Sequence, residues 1–192
     1  MRDFNMWLSG FRDSIADYGY YIDFEKVHRH VNGIKVERNI LNSLIGADNI
    51  EKKFEDLVEG FIKKAGFIKD VNYFKEMYIH QITERWNIDL SAISNQGKME
   101  KRFDFIVKTS DMIYGIETNF YGSGGSKLNE TARSYKTLAT EADTIDNFTF
   151  VWFTDGKGWT SARHNLEETF DMMEHIYNIK DLENGIITEV FR

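Results

Sequence analysis

With 192 residues, 42% of them hydrophobic and 15% aromatic, the chain is long enough for one domain with a real core and cramped for two. A formal net charge of −7 at pH 7 gives it no whole-molecule attraction for nucleic acid, so any DNA contact must come from local basic groups. The absence of cysteine excludes a disulfide framework, a thiolate metal site and a thiol nucleophile. No apolar run approaches the roughly 20 residues of a membrane-spanning helix, and the start MRDFNMWLSGF lacks the layout of a signal peptide, so the expected location is the cytoplasm, with no membrane partner.

In chain order, Phe4, Trp7, Leu8, Phe11 and Ile15 recur at helical spacing and predict an amphipathic helix from Asp3 to Ala16. An aromatic turn, Tyr18 to Phe24, leads to helices expected at Asp23–Val31 and Ile34–Ile45. They carry Lys26, His28, Arg29, His30, Lys35 and Arg38, the most basic part of the first half, but the two histidines lack a carboxylate at metal-ligand spacing. The aromatic supply of this third, Trp7, Phe11, Tyr18, Tyr20 and Tyr21, is of the kind found in interface cores and equally in a protein's own core. Gly46 to Asn49 breaks the pattern and caps a strongly periodic helix, Ile50–Ala65, on which Glu51, Glu55 and Glu59 form a ridge spaced like the solvated side of a helix. Val71–Trp86 is aromatic-rich without a clear period. Ile88–Ser94 reads as a strand, and Asn95 to Lys98 as the turn after it.

The stretch KRFDFIVKTSDMIYGIETNFYGSGGSKLNETARSYK is the centre of the chain. Around Asp104, Phe103, Phe105 and Val107 alternate with Arg102, Asp104 and Ile106; around Glu117, Ile116, Thr118 and Phe120 alternate with Gly115, Glu117 and Asn119. The link Thr109 to Met112 has the length and polarity of a hairpin turn, so the two strands are expected to pair antiparallel with both carboxylates on one polar face. Two acids that close repel unless a cation lies between them. A hard divalent ion such as Mg²⁺, held by one or two carboxylates together with substrate phosphate oxygens, is the simplest reason for the pair.

Tyr121 to Lys127 follows, with three glycines and two serines whose N–H groups suit a phosphate and a lysine at a helix start. A helix over Leu128–Ala142 packs through Leu128, Ala132, Tyr135, Leu138 and Ala139 and leaves Arg133 on another face. FTFVWFT, Phe148 to Thr154, is a strand covered on both faces. A helix through Ala162, Leu166, Phe170, Met173 and Ile176 comes next, and Ile186–Phe191 is expected as an edge strand. The sum is an α/β (α+β) chain: one domain with a mixed sheet flanked by helices. No nucleotide fingerprint of the GxxxxGK[ST] type occurs, so no nucleotide cofactor is expected.

A helix with Glu55, a strand with Asp104, and Glu117 followed two residues on by Asn119 resemble the PD-(D/E)XK nuclease fold. Within it RFDFIVK, YGIETNFYGSGGSKLNETARSYK, TDGKGW and KVERNILNSLIG resemble the DpnII/MboI family of type II restriction endonucleases, over nearly the whole chain. The resemblance implies a Mg²⁺-dependent homodimer that cuts duplex DNA at unmethylated GATC, 5′ of the G, in a restriction–modification system. It divides the chain into an N-terminal helical part, residues 1–47, and a catalytic core, residues 48–192. Asp104 and Glu117 match its metal-binding acids and Glu55 the acid of the preceding helix, while Lys127, Arg133 and Lys136 are the basic residues expected against DNA. Asn119 stands where the wider superfamily has lysine, a role then shifted to Lys127 or a second metal. The resemblance also implies a long segment between the third helix and the Glu55 helix, where NSLIGADNIEKKFEDL passes directly from one to the other. If that segment reads bases, the alternative is a noncatalytic or altered-specificity DNA-binding derivative.

Overall fold

The computed structural model describes residues 2–13, 15, 47–94 and 100–192. The helices expected at 23–31 and 34–45, with their basic residues, the three tyrosines Tyr18, Tyr20 and Tyr21, and the turn at 95–98 lie outside the described residues. Helix α1 is Phe4–Ser9, capped by the Asp3 side chain. It stops well short of Ala16 because Gly10 weakens the helix and the Arg12 N–H is donated to Asp155 Oδ1 at 2.7 Å instead of up the helix. Trp7 and Phe11 are nevertheless buried, Trp7 packing on Phe170 with ring centroids 4.7 Å apart, so these two aromatics belong to the core of the chain and not to an interface.

Helix α2, Ala47–Lys64, buries Phe54, Val58 and Ile62, one side of its 3.6-residue period. Strand β1 is Tyr73–Tyr78, and helix α3, Ile79–Trp86, follows at once. The strand expected at Ile88–Ser94 is a short 3₁₀ turn over Ser91–Ser94 instead. Asp89 Oδ1 accepts the Ser91 N–H at 2.9 Å, a local bond that competes with a sheet ladder, and Leu90 and Ile93 reach the core three residues apart. Strands β2, Arg102–Lys108, and β3, Ile113–Phe120, form the expected hairpin, closed by Thr109 N–H to Met112 O at 3.0 Å. After them come α4, Ser126–Ala142, β4, Phe148–Asp155, and α5, Arg163–Met172. Ile176 lies beyond α5, in the short strand β5, Ile176–Tyr177. The last two elements are α6, Ile179–Glu183, and α7, Ile186–Val190. The expected C-terminal edge strand is thus a helix: Ile187 and Phe191 are buried four residues apart while Glu189 is exposed, a helical spacing in a segment too short to reveal it.

The five strands lie in the order β1-β2-β3-β4-β5, antiparallel through β3 and parallel from β3 to β5, an α/β fold with helices on both faces. One cluster joins α1, α3, α4 and α5 to Ile106, Phe148, Phe150 and Trp152 of the sheet. The other joins α2 and the C-terminal helices to Phe105, Val107, Ile116, Val151 and Phe153. Because both faces are covered, the strands beside the acids have no open polar side. No helix among the described residues is long and apolar enough to cross a membrane.

Candidate active site

The sheet forks at the two acids. β2 and β3 pair only as far as Phe105 and Ile116, whereas β2 stays with β1 to Arg102 and β3 stays with β4 to Phe120. The strand alternation breaks at the same point: Phe105 and Val107 belong to the α2 cluster, but Phe103, two residues before Phe105, packs in the other. Glu76, flanked by the pairs Lys75–Phe105 and Met77–Phe103, has φ +53°. The kink in β1 thus lies alongside the stretch of β2, centred on Asp104, where the buried faces switch.

Asp104 Oδ2 accepts the Thr118 N–H at 2.8 Å and the Thr118 hydroxyl at 2.9 Å, so the carboxylate takes a backbone donor of β3 across the fork. Its carboxyl is pushed up to about 6, first by burial and then by the negative charge of Glu117, against the pull of the Thr118 bonds and Lys101. Glu117, buried, is held at both oxygens: Lys101 Nζ lies 2.6 Å from Oε1, and Tyr135 of α4 donates its hydroxyl to Oε2 at 2.6 Å. Burial and the Glu117 charge push the Tyr135 hydroxyl up, keeping it a donor.

Glu55, half-buried on α2, pairs with Lys75 of β1 at 3.0 Å. Burial raises its carboxyl, Lys75 opposes that, and the charges of Asp104 and Glu76 add to it. The acid ridge of α2 is not a uniformly solvated one. Glu59 is buried and accepts bonds from Tyr73, Lys75 and Lys63, each at 2.8 Å. Burial alone would raise its carboxyl, and these donors outweigh burial and bring it down to about 2.

Asn119 uses its side-chain carbonyl to accept the Trp152 indole N–H at 3.0 Å. Lys127 is exposed in the first turn of α4. Arg133 is exposed further along that helix, and Lys136 pairs with Glu168 of α5 at 3.2 Å. The glycine-rich loop is exposed from Gly122 to Lys127, and its backbone at Tyr121 and Ser123 is met closely by the TDGKGW turn. A Cβ on Gly158 would lie 2.4 Å from Ser123 O, and one on Gly156, at φ +105°, 2.2 Å from Tyr121 O, so the TDGKGW turn and the loop after β3 meet backbone to backbone. Gly158 N–H bonds Tyr121 O there at 2.8 Å.

Among the described residues, no three His, Asp or Glu side chains form a group able to hold a metal ion. Asp104 and Glu117 supply what a Mg²⁺ ion completed by substrate phosphate and water requires, two carboxylates whose charge the single Lys101 ammonium only partly offsets. Sequence reasoning missed Lys101, Tyr135, Lys75 and Glu59. For Tyr135 a signal existed: a tyrosine on a core-facing stripe needs an acceptor for its hydroxyl. The other three follow from strand pairing and the kink, which the sequence does not print.

The family model described as DpnII restriction endonuclease matches residues 3–60 and 52–189, two stretches that meet within α2. The chain is 34% identical to "Type II restriction enzyme DpnII" of Streptococcus pneumoniae over 280 aligned positions, covering 97% of each chain. That alignment is longer than the 192-residue chain, so the relative carries residues with no counterpart here. The chain is 36% identical to "Type II restriction enzyme MboI" of Moraxella bovis over 73% of this chain and 45% of that one. With "Type II restriction enzyme MjaIII" of Methanocaldococcus jannaschii the identity is 34%, over 84% of this chain and 54% of the other. No solved structure matches the chain.

Proposed function

We propose, from the premise that this chain belongs to the DpnII restriction endonuclease family, that it is a type II restriction endonuclease cutting duplex DNA at unmethylated GATC, 5′ of the G, with Mg²⁺ as cofactor, within a restriction–modification system. The observation that carries the reading is the pairing of Asp104 with Glu117 at the fork, two acids held by named donors with only one ammonium, Lys101, set against their two charges. Asp104, Glu117 and the carbonyl of Thr118 would hold Mg²⁺, which when bound supplies an acidified water and neutralises charge on the attacked phosphate. Thr118 fixes Asp104, and Tyr135 fixes Glu117, so neither acid has to be ordered when DNA arrives. Glu55, kept beside Asp104 by Lys75, acts through a water. Lys127, Arg133 and Lys136, spread along α4, meet the phosphate backbone, and Asn119 serves the site by fixing Trp152 rather than by moving a proton.

A palindromic target is matched by a two-fold dimer, because one set of acids cuts one strand. The test is digestion of plasmid DNA carrying GATC, unmethylated or adenine-methylated, with Mg²⁺ or EDTA. Linear product from unmethylated DNA with Mg²⁺ alone supports the reading; nicks that never mature to linear product contradict the dimer. The relative's unmatched stretch favours a second reading, in which recognition is altered or catalysis lost. Cleavage at another sequence, or binding without cleavage, would establish it.

A further inference from the structure

The fork holds a cation that the reading above does not use. Lys101, the residue before β2, places Nζ 2.6 Å from Glu117 Oε1, and its ammonium lies over the rings of Phe103 and Tyr135, 5.3 and 5.6 Å from their centroids. It is half-buried, at 26% side-chain exposure, and its charge also acts on Asp104. Two other basic side chains are differently engaged: Lys75 between Glu55 and Glu59, and Lys136 on Glu168. Asn119 carries no charge, and its carbonyl is taken by Trp152.

We propose that Lys101 is the phosphate-stabilising lysine of the cleavage site, its ammonium passing from Glu117 to the scissile phosphate when metal and DNA bind. The inference rests on the nuclease reading and deepens it. Charge balance drives the exchange. Without metal, two carboxylates face one ammonium; a divalent cation on the acids makes that ammonium surplus there, and a phosphate is the anion that arrives. The rings of Phe103 and Tyr135 hold the ammonium by its charge without consuming its N–H donors, so it can change partners without leaving the fork. Glu117 keeps its orientation after the exchange because Tyr135 still holds Oε2. In the reaction, water oxygen bonds to phosphorus as the P–O3′ bond breaks, the water's proton passes to solvent, and the leaving oxygen takes one from solvent. Lys101 keeps its protons throughout and neutralises the charge that gathers on the phosphoryl oxygens.

The test compares parent, Lys101→Met and Lys101→Arg in three measurements: Ca²⁺ binding without DNA by calorimetry, single-turnover cleavage with Mg²⁺, and thermal unfolding. Removing a competing ammonium is expected to tighten Ca²⁺ binding several-fold in Lys101→Met, while cleavage falls by about 100-fold or more, the scale of losing one transition-state donor. Lys101→Arg, which keeps the charge, should bind Ca²⁺ like the parent and retain intermediate cleavage. A merely structural ion pair gives a different pattern: weaker Ca²⁺ binding and slower cleavage, both in step with a lower melting temperature. That pattern overturns the proposal, as does parent-like cleavage by Lys101→Met while the parent cuts DNA normally. If the parent itself cuts no duplex, the nuclease reading fails and the Lys101 assignment fails with it. Should Lys101→Met not fold, Lys101→Gln takes its place with the same expectations.

Discussion

Asp104→Asn should make the metal-free protein more stable at neutral pH, against the usual direction for a change inside a site. The Asp104 carboxyl is pushed from an ordinary 3.8 to about 6 in the folded chain, by burial and then by Glu117. Since the folded value lies above the unfolded one, the penalty is absent below about pH 4, grows as pH rises through about 6 and is complete above that. The gap of about two pH units corresponds to about 3 kcal/mol. An amide resembles the protonated acid in shape and can still accept from Thr118, so it escapes the penalty. At roughly 2–4 °C per kcal/mol for a chain of this size, the variant should melt about 6–12 °C above the parent at pH 7.5 in EDTA. Thermal unfolding from pH 4 to 8 measures this directly. Asp155, which burial also pushes up to about 6, is common to both proteins and cancels in the difference. The gap should close toward pH 4, and Mg²⁺ at pH 7.5 should raise the parent's melting temperature and leave the variant's almost unchanged. Equal melting at pH 7.5, or a gap that widens toward pH 4, would refute the picture of two acids held in mutual repulsion.

Glu59→Gln should cost about 1–3 kcal/mol at pH 7 because it weakens a buried carboxylate that accepts from Tyr73, Lys75 and Lys63. The loss should shrink as pH falls below about 4 toward the carboxyl's folded value of about 2. Glu55→Gln should leave folding almost untouched and slow cleavage at least about tenfold; a large drop in melting temperature would make Glu55 a structural acid. Tyr135→Phe removes the donor to Glu117 Oε2 and should weaken Mg²⁺ binding about 10- to 100-fold, read by metal titration of cleavage and of stability. Gly158→Ala forces a Cβ to within 2.4 Å of Ser123 O and should separate the two loops, with a loss of more than about 2 kcal/mol by chemical unfolding.

The hairpin that carries Asp104 and Glu117 was legible because turn polarity, strand length and hydrophobic runs all agreed over 102–120. Helices α2 and α4 were legible from strong 3.6-residue periodicity. Short segments were not. In 88–94 an Asp89–Ser91 bond overrides strand propensity, and in 186–191 two buried residues four apart also fit an alternating pattern. The long α1 expectation failed because the stripe is right about burial and silent about Gly10 and the Asp155 carboxylate. At the site, residue types pointed to the acids. What surrounds them depends on where β2 and β3 part and on the face switch at Asp104, neither of which has a sequence period. The even spacing of Glu51, Glu55 and Glu59 hid a buried acid, Glu59, because two of the three donors that hold it, Tyr73 and Lys75, come from β1.

The claim that two acids at a fork in the sheet form a DNA-cleaving centre meets its most direct test in one digestion. Unmethylated and adenine-methylated plasmids bearing GATC are incubated with the protein, with Asp104→Asn and with Glu117→Gln, in Mg²⁺ or EDTA. The account predicts linear product from unmethylated plasmid with the parent protein and Mg²⁺ only, with both variants folded and inactive. Undiminished cutting by either variant, or an intact parent that leaves every duplex uncut in Mg²⁺, would contradict it.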